Sequence, residues 1–403
     1  MSLFVPRILV LTQMFPNSAY PHRGSFVSER VRVLCDDAEI RVINPVPYFP
    51  PVPGLGRYSR LARVGLRGET SEGCHVLHPR YAVLPRVATF YQGLSMARAV
   101  RRQCERDPWK PDIIDAHFAF PDGYAAVRLG RELGCPVVVT CHGSDLATYP
   151  RRFGVRRMMR WTMTHATRVL AVAPHLREAA LQLGGAPHHV EVLPGGVDCD
   201  IFFPRNRLRC RTNLGLPIDR PVALCVAGLD DNKNQAVLLH ALAEVIRRGG
   251  KLHLALVGDG PTRASLEKQA AELGVTECVT LAGSRPYVEV PQWISAADWL
   301  VLASRREGWP TVYCEAMACG RPVLTANVAV ARTAIDRDEL GMVLDENSPR
   351  AWADAFEAAR ARKWDEQAIR RLALNHSWKQ WASHYLALVR EVLGRRQIIG
   401  AAA

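Results

Sequence analysis

Two glutamates stand eight positions apart in the stretch REGWPTVYCEAMACGRPV: Glu307 just before Gly308, Trp309 and Pro310, and Glu315 just before Ala-Met-Ala-Cys-Gly. An apolar run ends at Ser304, and Pro310 suits the first turn of a helix starting near Thr311. The amides of Trp309, Thr311 and Val312 would then point outward with the helix dipole behind them, a site fit for a diphosphate. Two carboxylates beside such a site repel phosphate but accept hydrogen bonds from hydroxyls, so a sugar or a ribose is the partner each would take. On the residues alone, a helix-terminal acid at 307 and a solvated helix residue at 315 would also account for the pair.

The surrounding sequence adds a resemblance. The segments AADWLVLASRREGWPTVYCEAMACGRPV, LPGGVD, ALVGDGP and THATRVLAVAPHLREA resemble those of the retaining glycosyltransferases of family 4, and the similarity runs over nearly the whole chain. The resemblance implies an α/β fold of the GT-B kind, with two Rossmann-like parallel-sheet domains facing across a crevice. It gives Glu307 the transferred sugar of a nucleotide-sugar donor and Glu315 the ribose hydroxyls. The backbone from Gly308 and Trp309 through Pro310, Thr311 and Val312 would hold the distal phosphate. Lys233, in VAGLDDNKN, would neutralise the leaving diphosphate. The family's usual arginine five residues earlier is Gly228 here, and residues 329–333 read AVART where relatives often have Gly-Gly and then Glu, with Arg332 a candidate to restore charge.

Further expectations follow from the resemblance. His142 in TCHGSDL would meet the sugar's hydroxyls and the donor phosphate, or else be a structural histidine capping its strand, with Asp145 orienting a hydroxyl or capping a helix and His117 a weaker candidate. Gly24 in the first loop would let backbone approach phosphate or acceptor, with Arg23 and protonated His22 adding charge, although a tight turn alone would also explain Gly24. Arg285, near the nucleotide base, could stack on it, bond to it or stay solvated. Gly258 and Gly260 read as a tight turn, with Pro261 at a first helical position. No metal is expected, because the D-x-D of Asp198 and Asp200 lies in a hinge, where a turn and cap explain it.

These residues need strands to carry them. Short β-branched runs alternate with helical patterns: strands at 7–12, 39–43, 112–116, 137–140, 169–172 and 190–193, then at 222–226, 253–257, 279–281, 299–303 and 323–325. Helices fit at 25–35, 91–103 and 175–183 in the first half. In the second they fit at 235–248, 262–273, 290–296 and 311–318. Near-continuous apolar strands between helices predict parallel sheets covered on both faces. The divisions expected are an acceptor-side domain over 1–196, a hinge over 197–208, a donor-binding domain over 209–376, and a final helix over 377–403 returning to the first domain. In that helix Trp378, Trp381, Tyr385 and Leu388 recur at helical spacing.

At 403 residues, with 48% hydrophobic and 23% charged residues, the chain suits two globular domains. No apolar stretch is long enough to span a bilayer, and the opening MSLFVPRILVLTQMF, broken by Pro6 and Arg7, is a poor signal peptide. The eleven cysteines form no C-x-x-C pair, which suits a reducing cell interior. A net charge of +13 favours anionic partners, or reflects only an arginine-rich composition. Two basic stretches stand out: PVPYFPPVPGLGRYSRLARVGLR, a long loop, and YPRRFGVRRMMRWTM, which suits a helix on an anionic membrane or a partly buried helix with solvated arginines. No nucleic-acid-binding module accompanies the charge.

The expected activity is metal-independent retaining transfer of a sugar from a nucleoside diphosphate donor to a polysaccharide or lipid-linked acceptor in bacterial envelope synthesis. The expected place is the cytoplasm, at the inner face of the membrane. A nucleotide-sugar-binding protein without turnover, or a GT-B epimerase or hydrolase, are the alternatives.

Overall fold

A computed structural model describes residues 4–21, 23–50, 61, 64–65, 69–71, 73–84 and 89–401. His22 and most of the proline-rich basic stretch lie outside the described residues. The chain divides into two compact units, Met1–Gly195 with Trp378–Ala403, and Gly196–Ser377.

The first unit is built on β1 (Arg7–Leu11), β2 (Glu39–Ile43), β3 (Val46–Tyr48), β4 (Glu69–Ser71), β5 (Cys74–Leu77), β6 (Arg80–Ala82), β7 (Ile113–His117), β8 (Val137–Cys141), β9 (Arg168–Ala171) and β10 (Val190–Val192). Its main sheet has the order β10-β9-β8-β7-β1-β2-β5-β4, parallel except for the edge pair β4–β5. Every residue of β7 and β8 is buried, as expected of strands covered on both faces. Strands β3 and β6 pair separately. Their runs and those of β4 and β5 are only three or four residues long and alternate little, which is why no strand is predicted there.

The second unit carries β11 (Val222–Val226), β12 (His253–Val257), β13 (Val279–Gly283), β14 (Trp299–Leu302), β15 (Val323–Ala326) and β16 (Gly341–Leu344), in the all-parallel order β13-β12-β11-β14-β15-β16. The edge strand β16, half exposed at Met342 and Val343, is also absent from the expected set. Both sheets are therefore doubly wound, with the order reversing between β1 and β7 in one and between β11 and β14 in the other. Open α/β sheets bind ligands outside the carboxyl ends of their strands at such reversals.

The last helix, Trp378–Ala401, follows the second unit in sequence and packs in the first. Trp378, Trp381, Tyr385, Leu388, Val389 and Val392 are buried together with Val27, Val31 and Leu34 of the helix Ser25–Leu34 and with Ile8 and Val10 of β1. The four expected positions thus form a core stripe.

In the basic stretch the helix runs Val155–His165, with Val155, Met159, Thr162 and Met163 buried and Arg156, Arg157 and Arg160 exposed. Phe153, just before it, is 91% exposed. No helix among the described residues is long and apolar enough to cross a membrane.

Candidate functional site

In the second unit the order reversal is flanked by two loops. The loop after β11 carries Lys233 and the loop after β14 carries Glu307, and Lys233 Nζ lies 2.6 Å from Glu307 Oε1. Both side chains are largely covered, so the pair is shielded more than a surface salt bridge. Asp230 shapes the first loop by accepting hydrogen bonds at Oδ1 from the amides of Asn232 (2.9 Å) and Lys233 (3.0 Å). Asn232 ties the loops together: its carbonyl accepts from the Arg305 amide (2.8 Å) and its Nδ2 donates to the Arg306 carbonyl (3.0 Å). Gln235 Nε2 donates to the Gly228 carbonyl at 2.9 Å.

The helix after Glu307 spans Thr311–Ala318, and Pro310 is its N-cap, in extended conformation, rather than its first helical residue. A preceding extended proline still directs the chain into the helix, and the Tyr313 amide donates to the Pro310 carbonyl at 3.0 Å. The Thr311 and Val312 N–H groups precede that first helical bond and are the open amides of the terminus. Gly308 and Trp309 are half-buried, and the Trp309 ring lies 6.1 Å from that of His376. Glu315 is 8% exposed, so it is not a solvated helix residue. A buried carboxylate is tolerated where polar groups meet it.

The Gly258–Gly260 turn follows β12 and is held by contact. A Cβ on Gly258 (φ +145°) would come 1.9 Å from the Ala227 carbonyl oxygen, and one on Gly260 2.2 Å from that of Leu229. Pro261 is not helical, because the next helix begins at Arg263 behind Thr262. Around Gly228 there is room: an added Cβ would meet nothing nearer than Asp230 Oδ2 at 3.8 Å. Arg332 pairs with Asp345 on the surface. Arg285 is exposed, with its guanidinium 5.7 Å from the Trp293 ring centre. Asp198 Oδ1 accepts from the amides of Asp200 and Ile201 (2.9 and 3.2 Å), a turn at the start of the second unit. Among the described residues no three His, Cys, Asp or Glu side chains are grouped as a metal would need.

In the first unit Gly24 has φ +71° and starts the helix Ser25–Leu34; a Cβ there would lie 2.1 Å from the Met14 carbonyl oxygen. Chain packing alone therefore demands this glycine. Arg23 Nε donates to Met14 Sδ (3.1 Å). Nearby, Asp122 accepts from the Gln13 amide (2.6 Å) and Gln13 Nε2 (3.1 Å), and burial pushes its carboxyl up to about 7.

His142 follows β8 and is half-buried. Asp145 does not occupy the N-cap position, which is Gly143: it is fully buried inside the short helix, and its carboxylate accepts from the amides of His142 (3.2 Å), Gly143 (2.8 Å) and Ala119 (2.8 Å). It fixes the His142 loop. His142 Nε2 lies 3.0 Å from His117 Nδ1, which is also 3.4 Å from Arg30 Nη1, while His117 Nε2 is 3.5 Å from Asp115 Oδ2. Phe26 and Phe118 flank the His142 ring at 4.9 and 4.7 Å. Burial, then His117 and Arg30, hold the His142 imidazole well below the ordinary histidine range. Burial likewise lowers His117 against the pull of Asp115.

Sequence reasoning thus isolates Lys233, Glu307 and His142, and misses what holds them: Asn232, Gln235, Arg30 and Asp115. Only Asp230, two and three residues before amides it could cap, left a local trace. A separate cavity of about 650 Å³ runs beside the helix Thr89–Arg106, lined by Arg80, Arg98, Arg102 and Arg106 with Tyr48 and Tyr91, and no acidic side chain lines it among the described residues.

Two doubly wound units, each with polar groups at its order reversal, define a class, and comparison with known proteins supplies the family. The pattern of the glycosyl transferases group 1 matches residues 207–371, and that of glycosyltransferase family 4 matches residues 30–201. A Bacillus subtilis glycosyltransferase named for teichuronic acid biosynthesis is 31% identical over 87% of this chain and 88% of its own length. The GDP-mannose-dependent α-(1-6)-phosphatidylinositol monomannoside mannosyltransferase of Mycolicibacterium smegmatis is 32% identical over 84% of this chain and 85% of its own. The fold matches sucrose-phosphate synthase from Thermosynechococcus elongatus with a TM-score of 0.77 over 97% of this chain and all of that one, at 19% identity. HepE of Anabaena, solved with UDP and glucose, gives 0.70 over 95% and 100% at 18% identity. The chain belongs to the group 1, family 4 glycosyltransferases and is an enzyme of that class with the GT-B fold.

Proposed function

We propose that this glycosyltransferase moves a sugar, with retention of anomeric configuration and without a metal, from a nucleoside diphosphate donor to an acidic glycan or lipid-linked acceptor of the bacterial envelope. The observation that carries the reading is the Lys233–Glu307 pair at the order reversal, next to the open amides of Thr311 and Val312 and the buried Glu315. In the free protein the ammonium and carboxylate satisfy each other. A donor diphosphate would draw Lys233 to its oxygens and free Glu307 to accept from a sugar hydroxyl. The amides would hold the distal phosphate, and Glu315 would accept from the ribose. In the transfer the acceptor oxygen bonds to the anomeric carbon as the bond to the diphosphate breaks, on the same face. The acceptor proton goes to the departing diphosphate, whose charge Lys233 and the helix terminus stabilise. In the other unit His142 would serve a sugar hydroxyl.

The acceptor class draws support from the arginine-lined cavity, whose basic lining suits carboxylates or phosphates, and from the names of the Bacillus and Mycolicibacterium relatives. Exposed Phe153 beside Arg156, Arg157 and Arg160 suits peripheral contact with an anionic membrane from the cytoplasmic side.

Incubation with UDP-, GDP- and ADP-sugars, with and without acidic oligosaccharide and lipid-linked acceptors, tests the reading. Transfer should require acceptor, preserve the donor's anomeric configuration by NMR, and proceed unchanged in EDTA. Binding without turnover, or acceptor-free isomerisation or hydrolysis, would overturn it.

A further inference from the structure

The contacts between Arg30, His117 and His142 restrict where the imidazole protons sit, although Arg30 Nη2, Asp115 Oδ1 and His117 Nε2 are buried without a hydrogen-bond partner among the described residues. His117 Nδ1 has two neighbours, Arg30 Nη1 at 3.4 Å and His142 Nε2 at 3.0 Å. A guanidinium has donors only, so Nδ1 of His117 must offer its lone pair. The His117 proton then sits on Nε2, which makes no hydrogen bond among the described residues but faces the Asp115 carboxylate at 3.5 Å, a charge that favours it there. With His117 Nδ1 an acceptor, the 3.0 Å contact requires His142 Nε2 to donate. His142 is left with its lone pair on Nδ1. That atom is not buried and has no partner among the described residues.

We infer that Asp115, His117 and Arg30 are positioning residues that hold His142 in the Nε2–H tautomer, so that its Nδ1 accepts a hydrogen bond from a substrate hydroxyl and cannot donate to a phosphate. The inference rests on the proposed reading only for the nature of the substrate. It narrows the role expected from the resemblance, hydroxyl and phosphate together, to the hydroxyl alone.

Protonation of His142 would abolish this acceptor, and the charged groups around it oppose protonation. Arg30, fully buried with its guanidinium 4.3 Å from the Trp381 ring centre, stays a cation even though burial lowers it to about 10. Asp115 is held below the usual carboxylate range by His117 and then Arg30, against the cost of its burial. It places its negative charge on the far side of His117. Tyr385 of the last helix lies beside Asp115 and is driven above the ordinary phenol range by burial. Asp145 is engaged by backbone amides, including that of His142 itself. The tautomer is thus set by elements far apart in sequence: the helix Ser25–Leu34, β7 and the C-terminal helix.

The test begins on the unmodified full-length protein. Long-range ¹H–¹⁵N spectra of histidine-labelled protein, assigned with His142→Gln, should show His142 protonated at Nε2 only, from pH 8 down to below pH 6. An Nδ1–H tautomer, or a doubly protonated ring at pH 7, would overturn the inference without any variant having to fold. Then His117→Asn, which can keep an acceptor near the Nδ1 position, should retain the tautomer and most of kcat/KM. His117→Leu should give mixed tautomers and lower kcat/KM about 10- to 100-fold, the range for losing a group that orients a functional imidazole. Arg30→Met should move the acid limb of the pH profile upward, because one cation opposing protonation is gone. Equal tautomer populations in the Asn, Leu and unmodified proteins would reduce His117 to packing and sink the idea. Absence of acceptor-dependent transfer with the Nε2–H spectrum intact would instead defeat the proposed reaction and leave the tautomer assignment standing.

Discussion

Lys233 and Glu307 meet at 2.6 Å because the loops bearing them leave adjacent strands, and each satisfies the other. Lys233→Ala should lower kcat about 100- to 1000-fold, the loss typical for removing one group that stabilises developing charge, with a smaller change in KM. Glu315→Gln should act the other way. It weakens one charge-assisted hydrogen bond, about 1.5–3 kcal/mol, so donor KM should rise roughly tenfold or more with kcat little changed. Steady-state kinetics on both variants separate the two roles. Gly228 offers a complementary experiment. An added Cβ there meets nothing closer than 3.8 Å, so Gly228→Arg should fold with an unchanged melting temperature. By calorimetry, the new cation should tighten nucleoside diphosphate binding about tenfold, again the scale of one charge-assisted hydrogen bond. An unchanged affinity would mean that the phosphate lies elsewhere.

At the scale of elements, the site depends on how turns and helices brace one another. The Asn232 bridge couples the two loops of the second unit, and the Gly258–Gly260 turn fits against the Gly228 loop with no space for side chains. In the first unit the C-terminal helix does the corresponding work. Trp381 stacks on Tyr385 at 5.0 Å, meets Trp378 edge-on at 5.5 Å and covers Arg30. Trp381→Ala should therefore destabilise the first unit by about 3–5 kcal/mol, the usual range for emptying a tryptophan site in a core. It should also disturb the Arg30–His117 contact. Chemical denaturation of the full chain, with a nucleoside diphosphate present to mark the second unit, should show the first transition shifting alone.

At the scale of the molecule, the chain leaves the first unit at Gly195 and returns to it at Trp378. The two crossing strands run side by side, with the Val197 amide donating to the His376 carbonyl at 2.9 Å. The second unit is thus one continuous segment with its own six-stranded sheet, and the first is assembled from both ends of the sequence. Residues 196–377 expressed alone should unfold cooperatively and bind nucleoside diphosphates. Residues 1–195 alone should fail to form a stable domain, because the apolar faces covered by Trp378, Tyr385 and Val389 would be open. Circular dichroism and calorimetry on the two segments check both expectations.

The alternation of buried strands with helices was legible in the residues because a strand covered on both faces is near-continuously apolar, as VVVTC and HLALV are apart from Thr140 and His253. The same holds for the glutamate pair and the helix that follows it, whose spacing is local. Short edge strands such as β16 were not legible, since a half-exposed run of four residues leaves no periodic trace. Nor were Pro310 as a cap and Glu315 as a buried residue, because both depend on what packs against them. The sequence by itself determined the family, the two parallel sheets and the chemical character of Lys233, Glu307 and His142, all of which reside in residue types and short spacings. Only the tertiary structure decided that Lys233 and Glu307 form a pair, and that Arg30 and His142 converge on the His117 imidazole. These three contacts join residues between 25 and 87 positions apart, and only the strand order of a folded sheet brings such positions together.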